Sequence, residues 1–180
     1  MQLDTHAALV VVDLQAGVVA MNVPGTDTVV ANSVRLAEAW RAAGRPVVLV
    51  NVTGGPGGRT GLNPAGGARE IAPQSATLIP ELGPREGDLL ITKRTRGAFH
   101  GTTLEADLAA RGVTQVVLTG VATGSGVEET GREGFARGLN IAYVTDAMAD
   151  MDPEIHDMCV RKILPKQGEL ATTEEVLALL

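Results

Sequence analysis

Three places in this chain bring together residue types that can do chemistry. Asp13 closes the apolar run that starts at Ala8, and Lys93 closes the run Leu89-Leu90-Ile91-Thr92. The third place is the run Gln115 to Val121, which leads straight into Ala122-Thr123-Gly124-Ser125-Gly126-Val127-Glu128. A carboxylate and an ammonium in one cleft tune each other's protonation and supply general acid or base catalysis. A strand that turns directly into a helix aims the N–H groups of the first helical turn at whatever lies above the strand end. Such a turn can hold an anion or an oxyanion. Each residue also has a plainer reading: Asp13 as a turn or cap residue, Lys93 as a solvated strand-end charge, and Ser125 as a capping serine.

The elements that must position these groups are legible from periodicity and punctuation. Ala8–Asp13, Pro46–Val52, Leu89–Thr92, Gln115–Val121 and Asn140–Thr145 are apolar nearly throughout, the pattern of strands covered on both faces of a parallel sheet. Between the first two, Thr28–Ala43 carries Val29, Leu36, Trp40 and Ala43 on one helical stripe, with Gly44 as its stop. Thr102–Glu105 and Thr172–Glu175 read as capping boxes, Asp152-Pro153 as a cap followed by proline at the first helical position, and Gly112 and Gly138 as helix ends. The expected fold is α/β: a three-layer α/β/α sandwich with a Rossmann-like, doubly wound, mostly parallel sheet of about six strands, spanning residues 1–180 as one domain. In the usual doubly wound order the first and fourth strands lie side by side, so Asp13 and Gly120 open onto the crevice where such sheets bind ligands. Lys93 then starts about 10 Å from Asp13, a gap its long stem can bridge.

Between Thr53 and Pro80 no helical period is visible, and seven glycines fall between Gly54 and Gly67. A loop this long in a small domain is expected to be a lid or a binding loop, with a disordered insertion as the alternative. The net charge of −6 without a basic run argues against nucleic acid and acidic membrane surfaces as partners. There is no long apolar stretch and no leader-like N-terminus, so the expected location is the cytoplasm. The lone Cys159, four residues from both Ile155 and Ile163, reads as part of a buried apolar helix face, away from the turn at Gly126. His6, His100 and His156 show no ligand spacing, and neither phosphate-binding glycine pattern is present; no metal and no cofactor are expected.

In order and spacing, four segments resemble the isochorismatase-like, or cysteine hydrolase, superfamily: Val10-Val11-Val12-Asp13-Leu14-Gln15, Ile91-Thr92-Lys93-Arg94 with Gly97-Ala98-Phe99, Gly120 to Val127, and Val144-Thr145-Asp146-Ala147 followed by His156. The resemblance implies catalytic roles for Asp13 and Lys93 and puts Gly126 where amidases of the family carry a cysteine. The isochorismatases, which split a vinyl ether, carry glycine there. By the same resemblance Ala122 and Ser125 border the substrate and Phe99 lines the pocket, with a plain core ring as the equal alternative for Phe99. By residue type and position, Asn51 or Thr53 at the end of the second strand is a candidate to orient water, and Arg96, like Arg94, a candidate partner for a substrate carboxylate. The zinc-binding members carry histidines after the second strand, where this chain has Asn51-Val52-Thr53-Gly54-Gly55. The function implied is hydrolysis of a small molecule without a cysteine nucleophile, with Asp13 as general acid toward a vinyl ether. A silent ligand-binding or scaffold protein and an amidase using Ser125 are the alternatives. A homodimer or higher homo-oligomer is the expected assembly.

Overall fold

A computed structural model describes residues 1–180. Eight strands, β1 Ala7–Val12, β2 Val47–Val52, β3 Gly54–Gly55, β4 Arg69–Glu70, β5 Leu89–Lys93, β6 Gln115–Val121, β7 Asn140–Ala149 and β8 Glu169–Ala171, alternate with seven helices: α1 Ala16–Val19, α2 Thr26–Ala42, α3 Pro73–Ala76, α4 Leu104–Ala109, α5 Glu128–Ala136, α6 Pro153–Met158 and α7 Thr173–Leu177. Six strands form one parallel sheet in the order β5-β2-β1-β6-β7-β8, so the first and fourth apolar runs of the sequence are neighbours, as expected of a doubly wound sheet. Every residue of β1 and β6 is buried. Successive side chains of a strand point to opposite faces. Ala7, Leu9 and Val11 therefore enter a core with Leu36 and Trp40 of α2 and Val176 of α7, while Ala8, Val10 and Val12 enter a second core with Leu104 and Leu108 of α4 and Val127. The α/β/α layering follows from those two apolar faces.

The helix punctuation holds at two of the three helix starts read from the sequence. Asp152 accepts from Glu154 N at 2.9 Å, and Thr172 with Glu175 forms a reciprocal capping box. Thr102–Glu105 does not: Leu104 N bonds to Thr102 Oγ1, Thr103 Oγ1 bonds to Asp107, and the Glu105 carboxylate is taken by Arg137 at 2.8 Å. Helix α2 begins at Thr26, after Gly25 at φ +84°, and ends before Ala43, which is exposed rather than on the buried stripe. Strand β7 runs four residues past Thr145 because an irregularity lets pairing resume at Gly120↔Met148. The glycine-rich stretch is not featureless: β3 and β4 pair antiparallel as a short hairpin, and α3 follows.

One glycine of the sheet is fixed by contact. Gly120 sits at φ +114°, and a Cβ there would lie 2.0 Å from Val12 O. Strand β6 thus approaches β1 more closely than any side chain permits, directly beneath Asp13. Gly120→Ala is expected to cost at least about 3 kcal/mol in urea unfolding, since neither the dihedral nor the backbone contact can relax cheaply. A variant within about 1 kcal/mol of wild type would contradict that approach.

Candidate active site

Asp13 leaves β1 at φ +54°, a left-handed conformation that aspartate adopts more readily than most residues. Its turn is tied down by the buried amide of Gln15, whose Nε2 donates to Val52 O at 3.1 Å and Ser75 O at 3.0 Å while its Oε1 accepts from Val52 N at 2.7 Å. Lys93, the last residue of β5, extends past the end of β2 and places Nζ 2.8 Å from Asp13 Oδ2. The same ammonium donates to the carbonyl of Arg96. Both side chains are buried, and Asp13 Oδ1 has no hydrogen-bond partner. Burial pushes the Asp13 carboxyl up from its ordinary 3.8 to about 6. The neighbouring ammonium acts in the opposite sense, and desolvation outweighs it.

Gly126 faces this pair. A Cβ built on it would lie 3.1 Å from Asp13 Oδ2, 3.2 Å from Lys93 Nζ and 3.0 Å from Val12 Cγ1. Thr123–Val127 is a turn of π-helix preceding α5, and the Val121–Ala122 peptide is cis. The expectation that N–H groups of this turn are free to hold an oxyanion fails for three of them. Gly124 N donates to Asp150 Oδ2, and the N–H groups of Ser125 and Val127 both donate to Ala122 O.

Above the pair lies a cavity of about 480 Å³ bordered by Ala122, Ser125 and Gly126. Val18, Met21 and Met151 supply apolar wall, and the hairpin contributes Gly54, Gly55 and Arg69. Arg96 borders it too, whereas Arg94 turns away to pair with Glu70. Three sequence-derived candidates lie elsewhere. Asn51 donates to Ala76 O at 2.8 Å and accepts from Thr92 Oγ1 at 2.8 Å. Together with Thr53 it lines a separate cleft on the far side of the hairpin. Phe99 is a core ring, buried against Leu104 and Ala98, with the Arg137 guanidinium 4.9 Å from its centroid. Residue type alone pointed to Asn51 and Thr53; that Val52, between them, faces the cavity was set by strand register.

Cys159 is buried but is not far from the turn: its Sγ lies 3.3 Å from where a Cβ on Gly124 would be, and Ile155 is 40% exposed rather than part of a buried face. The thiol packs against the back of the turn, beside Asp150, and burial with the Glu128 and Asp150 charges pushes its pKa up. It is thus no substitute nucleophile. His156 Nδ1 lies 2.8 Å from Thr123 Oγ1, also behind the turn. Ser125 borders the cavity, and no histidine does. No three of the His, Cys, Asp and Glu side chains are grouped to hold a metal ion.

The raised Asp13 pKa has a stability consequence. Between about pH 4 and 6 the native state keeps a proton that the unfolded chain has released, so this group's contribution is complete at low pH and is lost as pH rises through about 6. The displacement from 3.8 to about 6 corresponds to about 3 kcal/mol. Urea titrations across this range are expected to show that slope in the wild type and to lack it in Asp13→Asn; parallel profiles would refute it.

The isochorismatase domain family model matches residues 7–175. The isochorismatase family protein YwoC of Bacillus subtilis is 39% identical over 175 residues, covering 94% of this chain and 92% of YwoC. The ureidoacrylate amidohydrolase RutB of Methylobacterium radiotolerans is 34% identical over 74% of this chain and 59% of its own. The structure of an isochorismatase family protein from Burkholderia thailandensis superimposes with a TM-score of 0.93 at 35% identity, covering 99% of this chain and 97% of the other.

Proposed function

The chain belongs to the isochorismatase family, and on that premise we propose that it is a hydrolase of a small carboxylate that works without a cysteine nucleophile, with Asp13 as general acid. One observation carries this reading: Gly126 opens onto a buried Asp13–Lys93 pair whose carboxyl has a pKa of about 6, so a transferable proton is present near neutral pH where a thiol would otherwise stand. For a vinyl ether, the proton passes from Asp13 to the terminal alkene carbon and leaves an oxocarbenium ion. Water adds to that cation, and the hemiketal collapses to an alcohol and a ketone, with a proton returning to Asp13. No covalent acyl-enzyme is needed. The Lys93 ammonium, fixed by the Arg96 carbonyl, stabilises negative charge on the departing oxygen. The guanidinium of Arg96, with Arg69 from the hairpin, suits a substrate carboxylate at the cavity rim. Asn51 and Thr53 have no part in orienting water, since both lie outside the cavity. Ser125 lends no support to an amidase, because no imidazole stands beside its hydroxyl to take the proton.

Isochorismate and ureidoacrylate serve as probes of the two chemistries in the family. With isochorismate, Asp13→Asn and Lys93→Ala are each expected to lower kcat/KM at least about a hundredfold while the far-ultraviolet spectrum is retained. The wild-type rate should be flat below about pH 6 and fall about tenfold per unit above it, because the acid must carry its proton. Undiminished turnover by Asp13→Asn would exclude the mechanism. Tight binding of either probe without turnover would point to a binding protein instead.

A further inference from the structure

We propose that Thr130 is a positioning residue of this site, whose hydroxyl joins the Gly126 turn to the loop that fixes Lys93. Thr130 lies on the first turns of α5 and is fully buried. Its Oγ1 donates to Gly126 O at 2.6 Å and accepts from Ala98 N at 3.1 Å. A hydroxyl has one proton to give and lone pairs to receive, so one atom serves both segments. The lysine segment then closes the circuit: Ala98 lies two residues after Arg96, and the Arg96 carbonyl holds Lys93 Nζ. That ammonium returns to within 3.2 Å of the Cβ position on Gly126.

One helical turn further along α5, Glu133 repeats the attachment. Its Oε2 accepts from Phe99 N at 2.9 Å, and its carboxylate fills the space a side chain at Gly97 would need, 2.2 Å from that Cβ position. Two consecutive amides of the lysine loop, Ala98 and Phe99, are therefore held by α5, and only the Thr130 bond is shared with the turn. Glu133 anchors the loop to the helix. Thr130 sets the spacing between the loop and the slot. The hydroxyl belongs to the site through Lys93 and Gly126, and Thr130 itself does not border the cavity.

Two readouts that need no substrate test this, so their outcome is separate from that of the hydrolase reading. The first is the carboxyl titration of Asp13 followed by 13C NMR in Thr130→Ser and in Thr130→Val, which has nearly the same shape without the hydroxyl. The midpoint is expected to stay near that of the wild type in Thr130→Ser and to rise by about one pH unit in Thr130→Val, as the ammonium moves away from the carboxylate. The second places a reporter in the slot. In a Gly126→Cys background, alkylation by iodoacetamide is expected to keep its rate within about twofold in Thr130→Ser and to slow at least about tenfold in Thr130→Val, because the ammonium that favours the thiolate is displaced. Both are read under conditions where circular dichroism shows the variants folded. A folded Thr130→Val with an unmoved Asp13 midpoint overturns the proposal. If Thr130→Val does not fold, Thr130→Ala is measured in its place. Failure of both to fold, with Thr130→Ser intact, would assign the hydroxyl to the fold alone and also overturn it.

Discussion

Burying a carboxylate with an ammonium is costly unless both are held in good geometry, and removing one partner of such a pair typically costs about 3–5 kcal/mol. Much of this end of the sheet is arranged around that constraint. Lys93 comes from β5 and Asp13 from β1, two strands apart, and the lysine stem spans β2 to bring Nζ within 2.8 Å of the carboxylate. The ammonium has a second acceptor in the Arg96 carbonyl, whereas the carboxylate has one oxygen without a partner. That asymmetry fits the direction of the Asp13 pKa. The cation is well satisfied and the anion is not, so the proton is held to about pH 6 despite the adjacent positive charge. A fully hydrogen-bonded carboxylate would have a lower pKa and would hold no proton near neutral pH.

The backbone below the pair has given up side chains to allow it. Gly120 lets β6 close against Val12, and Gly126 leaves room for two charged groups where a side chain would point. The left-handed turn at Asp13 is held by Gln15, which reaches both the end of β2 and Ser75 in the segment after the hairpin. The acid and one wall of the cavity are thereby tied to the same amide. The cavity wall furthest from the sheet is the least regular part of the chain, a hairpin of two-residue strands that carries Arg69 to the rim.

How much of this the sequence discloses depends on whether the signal is local. Parallel strands buried on both faces announce themselves as continuous apolar runs, and five of the six main strands were visible that way. The exception, Glu169–Ala171, is three residues long and begins with an exposed glutamate. Asp13, Lys93 and Gly126, singled out from recognisable segments of the sequence, are brought together in space, the first two from the ends of their strands. Asn51 and Thr53 lie outside the cavity because the face a strand residue presents depends on register, which no local pattern fixes, whereas Phe99 sits on the loop after β5 and is buried in the core. Strand β2 pairs Val52 with Lys93 and Asn51 with Thr92, so a shift of one residue exchanges cavity wall for the opposite cleft. The Thr102 box failed for a related reason, since Glu105 finds Arg137 thirty-two residues away. Gln15, Arg69 and Thr130 owe their positions to contacts across dozens of residues, and nothing in their immediate neighbours signals them.

Gly126 is more than a cysteine position that lacks its sulfur. Carbon contacts of 3.0–3.2 Å from a hypothetical Cβ are tighter than side chains normally tolerate, and two of the three atoms involved belong to Asp13 and Lys93. The pair therefore stands at the edge of the volume that a side chain at 126 would claim. Any residue larger than glycine must push the carboxylate, the ammonium or Val12 back by a few tenths of an ångström. Burial of Asp13 itself, against the opposing pull of the Lys93 ammonium, holds its carboxyl pKa at about 6. Glycine at 126 and the close approach of Asp13 and Lys93 thus belong to one arrangement, since a Cβ in the slot would require one of them, or Val12, to give way.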